Sequence, residues 1–457
     1  MKTIQNIIYA AFAVIAFTSP AVRAVNPPPD GGYPGGNTAE GQAALLALST
    51  GGYNTAIGWF SLLDNTTGEF NTAVGAATLV TNTANNNTAI GTGVLFLNTT
   101  GEENEGTGAL VLFNNTVGSQ NTANGAEALY NNTEGDGNTA TGADALHSNT
   151  EGGGNTATGL FALEANTTGN LNTATGDAAL THNSIGNQNT GAGFQALWGN
   201  TTGSFNTANG SKALGVNTTG TQNTGAGYSA LIDNTTGSFN TADGSNALSF
   251  NTTGSGNIAV GNQAGSNLTT GDNNIDVGNE GIADEANTIR IGTQGTQTAT
   301  FIAGINGATA SGGTAVFVDT NGQLGTLTSS ARFKDNIKPM DKASESILAL
   351  KPVTFRYKKE IDPAGTSQFG LVAEEVEKVN PSLVLRDKEG KPYTVRYDQV
   401  NAMLLNEFLK EHRTVQEQQN EIDVLRAELK EQRALIQKVN DKVELAKPVP
   451  QTVLNNQ

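Results

Sequence analysis

The stretch "TSSARFKDNIKP" (328–339) sets a hydroxyl, Ser329, five residues ahead of an amine, Lys334, at the point where the chain changes character. A serine hydroxyl attacks a carbonyl only when a base takes its proton. The chain has no cysteine, and no histidine lies between Ser329 and His412. Within this segment a Ser–Lys dyad is the remaining nucleophile-and-base pair. Lysine's ordinary pKa of ~10.4 must then fall to near 7, a bias of roughly 4 kcal/mol, which burial against apolar walls supplies. Phe333 and Ile337 are candidate walls. Taken alone the spacing is weak, because a surface Ser and Lys at a domain boundary satisfy it equally.

Regular elements do not solve the positioning. Residues five apart point ~140° apart on a helix and to opposite faces of a strand. Either a turn between them brings Ser329 onto Lys334, or Lys334 reaches Ser329 of a neighbouring chain.

Upstream of the seam lies a repeat. "NTANGSKALGVNTTGTQ" (206–222), "NTGAGYSALIDNTTGSF" (223–239) and "NTADGSNALSFNTTGSG" (240–256) follow one pattern, N-T-A-x-G-x-x-A-L-x-x-N-T-T-G-x-x. Fourteen such units begin at asparagines from Asn54 to Asn274, with one step a residue short. The fifth position is Gly in all fourteen, which predicts positive φ or close backbone approach. The ninth is Leu in the first twelve, Leu62 through Leu248. One Leu and two Ala are too thin a core for a unit alone, so units must stack as a solenoid. Recurrent Gly and N-T steps disfavour helix and favour short strands joined by Asn/Gly turns. At ~4.8 Å per coil the array is a rod on the order of 60 Å long.

Charge follows the same division. Of the net −17, the section from Val25 to Thr328 carries 22 acidic residues against Lys212 and Arg290, whereas Ser329 onward is nearly balanced. The acidic front repels phosphate, so no nucleic-acid or anionic-membrane partner is expected there. The calcium nonapeptide pattern does not recur. His147 and His182 fall at unlike repeat positions and read as solvated surface, so no metal and no cofactor is expected. The N-T-T triplets match a glycosylation acceptor but read as turn chemistry. Regular Thr columns offer a geometry for ice or glycans, although no surface or glycan ligand of the repeat head is identified.

Residues 1–24 read as a signal peptide: Lys2, an apolar core Ile7–Phe17 and a cleavage site at Val22-Arg23-Ala24. That core is too short to span a bilayer, and no transmembrane segment is expected in the mature chain. Without cysteine, an exported fold is held by burial, backbone pairing or oligomerisation.

From Asn287 to Gly325, "TIRIG", "TATFIAGI" and "TAVFV" read as short strands, with a hairpin turn at Asp319–Gly322. Beyond Leu404, Phe408, Val415, Ile422, Leu429, Ile436 and Val443 lie seven apart. Leu404, Glu411, Gln418, Leu425, Gln432 and Val439 accompany them, which predicts a coiled coil. Pro448 and Pro450 end it.

Two resemblances follow. The N-T-A-x-G-x-x-A-L units resemble the head repeats of trimeric autotransporter adhesins, implying left-handed parallel β-rolls in three chains, although this repeat is a few residues longer. The adhesins' membrane-anchoring barrel is expected to have no counterpart. "SSARFKDNIKPM", "ILALKPVTFRYK", "QFGLVAEEVEKVNPSLV" and "YTVRYDQVNAMLLNEFLKEH" resemble, in order and spacing, the C-terminal intramolecular chaperone domain of phage endosialidase tailspikes. That self-cleaving peptidase family includes other phage tail fibres and a membrane-bound myelin regulatory factor. The resemblance implies Ser329 as nucleophile and Lys334 as general base of a catalytic dyad. Many members have Asp directly after the Ser; here Ser330 stands there, a rival nucleophile.

The expected organisation is mainly β. It comprises a signal peptide (1–24), a Pro/Gly-rich leader (25–53), a parallel β-solenoid or β-roll (54–280) and a β-rich neck (281–328). A small α+β chaperone domain (329–403), a coiled coil (404–447) and a disordered tail (448–457) complete it. The expected function is an exported homotrimeric fibre, adhesin-like and secreted or at the cell surface, whose C-terminal domain aligns three chains and cuts once near Ser329. The alternative is a non-cleaving fibre that keeps this domain as a trimerisation foot. A glycan-degrading tailspike would need a separate domain with clustered carboxylates, for which the repeats leave no room.

Overall fold

In a computed structural model, residues 33–305, 309–387 and 389–446 are described. The signal peptide at 1–24, the start of the leader and the tail at 448–457 lie outside them. The chain divides into two compact units, Met1–Phe301 and Ile302–Gln457.

The first unit is a parallel β-solenoid. Sixteen short strands, from β1 (Thr38–Glu40) to β16 (Ile289–Ile291), form one sheet in chain order. Register advances by one repeat per rung, as where Thr207 pairs with Thr224 and Ala208 with Gly225. The sheet begins one coil ahead of Asn54, because "NTAEG" at 37–41 repeats the motif. It ends on a shortened coil, with Ile275 opposite Ile289.

Alternation along each strand sends the central Ala inward and its neighbours outward. Ala56, Ala140 and Ala208 are fully buried, as are the twelve repeat leucines from Leu62 to Leu248. These form one continuous core. Two buried asparagine ladders flank it. The repeat-start Asn206 donates its amide Nδ2 to the Gly220 carbonyl (2.8 Å), while its backbone N–H donates to Asn189 Oδ1 (3.0 Å). The turn Asn217 donates to Asn200 Oδ1 (2.7 Å) and to the Gly220 carbonyl (3.0 Å). The N-T-T asparagines are therefore interior hydrogen-bond donors with no exposed amide: Asn65, Asn98, Asn166, Asn200, Asn217, Asn234 and Asn251 are fully buried.

The fifth-position glycine meets both conditions read from its recurrence. Gly193 has φ 133°, and a Cβ there would stand 2.7 Å from the Gly210 carbonyl. Positive φ also falls where sequence reasoning did not place it. The repeat leucine itself is left-handed, at φ 53° in Leu197. Leucine rarely adopts this conformation. Here burial of its side chain and the hydrogen bond from its N–H to the Ala213 carbonyl (3.0 Å) hold it there.

In the second unit, β17 (Phe317–Val318) and β18 (Leu324–Gly325) form a hairpin. Asp319 Oδ1 accepts from the N–H groups of Asn321 (2.9 Å) and Gln323 (2.8 Å) to close the turn. "TATFIAGI" (298–305) forms no strand; its alternating pattern finds no partner, and Phe301 is almost fully exposed. β19 (Val353–Phe355) pairs antiparallel with β20 (Gln368–Gly370) and β21 (Val384–Arg386) with β22 (Pro392–Val395), and helix α1 (Ala373–Val379) lies between the two pairs in chain order. Helix α2 runs from Tyr397 to Leu445. The core here is small: Val376, Leu383, Val384, Val395 and Met403. Among the described residues no helix is long and apolar enough to cross a membrane.

Candidate active site at Ser329 and Lys334

A single turn of 3-10 helix, Ala331–Phe333, separates the two residues. The Phe333 N–H donates to the Ser330 carbonyl (3.0 Å) and the Lys334 N–H to the Ala331 carbonyl (3.1 Å). These tight bonds reverse the chain enough that Lys334 Nζ lies 3.2 Å from Ser329 Oγ. The structure thus brings the pair together within one chain, by a turn. Ser330, the rival hydroxyl, sits at the N-cap of that turn. The candidate nucleophile and the candidate base are in hydrogen-bond reach, the geometry a hydroxyl–amine dyad requires.

Its surroundings are open. Ser329, Ser330 and Lys334 are exposed, and so are Phe333 and Ile337, the candidate walls. The Arg332 guanidinium lies 4.5 Å from the Phe333 ring centroid. Neither apolar residue shields the amine within this chain.

A second hydroxyl–ammonium contact, absent from the sequence reading, lies deeper. Ser344, fully buried in the 3-10 segment Asp341–Ala349, contacts Glu407 and accepts from Asn406 Nδ2 (2.6 Å) and Lys410 Nζ (3.5 Å) on α2. The Glu407 carboxylate, 2.7 Å from the Lys410 ammonium, pushes the lysine's pKa up. Lys410 is therefore held as a cation and cannot act as base; the cluster clamps the 3-10 segment to α2. Only tertiary folding joins residues more than sixty positions apart, so no local motif announces it.

The two solenoid histidines differ. His182 packs edge-on against Trp198, with Nδ1 2.9 Å from the Trp198 carbonyl oxygen. His147 is half-buried beside Glu127, and Asp144 completes a group of three.

The chain thus combines a repetitive parallel β-solenoid with a small α+β unit that contains the Ser329–Lys334 contact. Residues 329–385 match the family model for the chaperone of endosialidase. Its boundary falls on Ser329 itself. No curated protein and no solved structure matches the chain. That match supports a trimerisation-chaperone role in a fibre.

Proposed function

We propose that the chain is an exported trimeric fibre whose C-terminal domain aligns three copies and then severs itself near Ser329. The observation that carries the cleavage is the 3.2 Å contact between Lys334 Nζ and Ser329 Oγ at the first residue of the matched domain. Lys334 takes the hydroxyl proton, Ser329 Oγ adds to a neighbouring backbone carbonyl, the peptide nitrogen leaves with that proton, and water then hydrolyses the resulting ester, releasing a carboxylate and restoring the Ser329 hydroxyl. Because the scissile bond lies in the same molecule, positioning replaces substrate affinity, with effective molarities of ~10⁵ M or more. Each chain turns over once.

Alignment has a physical motive. Coils so alike pair one unit out of register almost as well as in register. A coiled coil formed by α2 behind a globular domain fixes one end. The signal segment read at 1–24 supports export.

The open surroundings of Lys334 favour a coupling of the two activities: a neighbouring copy supplies the apolar wall, so that cutting waits for assembly. Denaturing electrophoresis with intact mass of the purified full-length protein tests the cleavage. The wild type should yield a C-terminal fragment starting at or beside Ser329; Ser329→Ala should abolish it and Ser330→Ala should not. An intact wild-type trimer would instead leave the domain as a permanent foot.

A further inference from the structure

Away from that seam, the solenoid gathers side chains that metal chemistry uses. Glu127 and Asp144 hold the seventh position of successive coils, and His147 holds the tenth position of the second. One oxygen from each acid and one imidazole nitrogen all lie within 4.8 Å of one another, on three half-buried side chains. His147 Nε2 stands 3.4 Å from Glu127 Oε2. That separation is the edge of a tetrahedron whose centre is ~2.1 Å from each corner, the length of a zinc bond to nitrogen or carboxylate oxygen.

The frame is rigid. Glu127 and Asp144 share the same left-handed backbone, φ 56° and 55°, and the Asp144 N–H donates to the Ala126 carbonyl at 3.0 Å. The imidazole lies flat on Tyr130, centroids 5.2 Å apart and planes within 3°. Tyr130 in turn stacks on Phe113 and Phe113 on Phe96. This ladder fixes the ring plane while Nε2 faces the carboxylate.

Charge supplies the second observation. Two carboxylates converge here in a section whose only Lys and Arg are Lys212 and Arg290. Arg290 is committed to Glu285 at 2.6 Å. Lys212 lies four coils beyond Asp144, about 19 Å at the inter-strand spacing. No fixed cation among the described residues balances the pair.

We propose that Glu127, Asp144 and His147 form a binding site for a divalent transition metal of the zinc class, stapling two successive coils. An imidazole beside two carboxylates suits Zn²⁺, Co²⁺ or Ni²⁺ better than Ca²⁺ or Mg²⁺, which take oxygen ligands. Partial exposure leaves the remaining coordination positions to water.

The test is titration of untagged, metal-stripped full-length protein with Zn²⁺ by calorimetry, and with Co²⁺ by visible absorption. One ion per chain is expected, with affinity falling at least tenfold in both Asp144→Asn and His147→Gln. Asp144→Asn leaves the aromatic stack intact, so a loss shared by both variants reports ligation rather than damaged packing. Absence of binding at millimolar Zn²⁺, or isotherms unchanged in both variants, would overturn the site.

Discussion

Lys334 and Lys410 each bring an ammonium to a serine hydroxyl, and their neighbours assign them different work. Lys410 is held charged by Glu407 and serves as a clamp. Lys334 has Ser329 at 3.2 Å, with exposed Phe333 and Ile337 close by in sequence, and is the base of the proposed cleavage. Lys334→Arg should therefore stop cleavage as fully as Lys334→Ala, since a guanidinium does not deprotonate in proteins. Asp276 carries a separate, pH-dependent expectation. It replaces the inward Ala of other coils, is 1% exposed, and receives no hydrogen bond from the described protein. Burial, and secondly the Glu285 charge, push its pKa up to about 6, with Arg290 opposing. A raised pKa means that its contribution is full in acid, below ~4, and is lost as pH rises through about 6. Asp276→Ala should thus slow hydrogen exchange in the last coils at pH 7, by at most ~3 kcal/mol of opening free energy, and change little at pH 4. Equal effects at both pH values would remove Asp276 as the source.

Each coil is specified by three columns with distinct physical duties. Leucine supplies burial, asparagine satisfies backbone groups that a turn would otherwise leave unpaired, and glycine permits backbones to meet. Gly193→Ala adds a Cβ at φ 133°, 2.7 Å from the next coil's carbonyl, and should cost about 2–4 kcal/mol in chemical unfolding. Asn200→Leu should cost a comparable amount for a different reason. It removes the Oδ1 that accepts from Asn217 Nδ2 at 2.7 Å, leaving one N–H of that buried amide unpaired while the other stays on the Gly220 carbonyl at 3.0 Å. Near-neutral results for both would mean that the columns are redundant. Helix α2 has the converse problem of too little burial. Phe408, Val415, Ile422 and Leu429 are 64%, 50%, 42% and 50% exposed, so its apolar seam lacks a cover among the described residues.

For the molecule, that seam and the small core of the second unit are where the proposed trimer would bury surface. Five buried residues supply little against the entropy of ordering such a domain. The double variant Ile422→Asp, Leu429→Asp should sediment as a monomer and remain uncut, because neither alignment nor the wall around Lys334 forms. A monomer that still cleaves would separate the dyad from assembly and show that one chain completes the site alone.

The repeat length, the inward Ala and Leu, the glycine at the fifth position and the solenoid class were all readable from order and periodicity, because each coil meets only its neighbours and local pattern becomes global structure. The heptads gave the long helix for the same reason. Sequence spacing also paired Ser329 with Lys334 as candidates, but left open whether a turn or another chain would join them. Folding decided what depends on contacts across coils or between distant segments. These include the left-handed leucines, the burial of the N-T-T asparagines, the unsupported alternation at 298–305, and the clamp from Ser344 to Lys410. They include the gathering of Glu127, Asp144 and His147 too, since residues on successive coils become neighbours only when the register between coils is set.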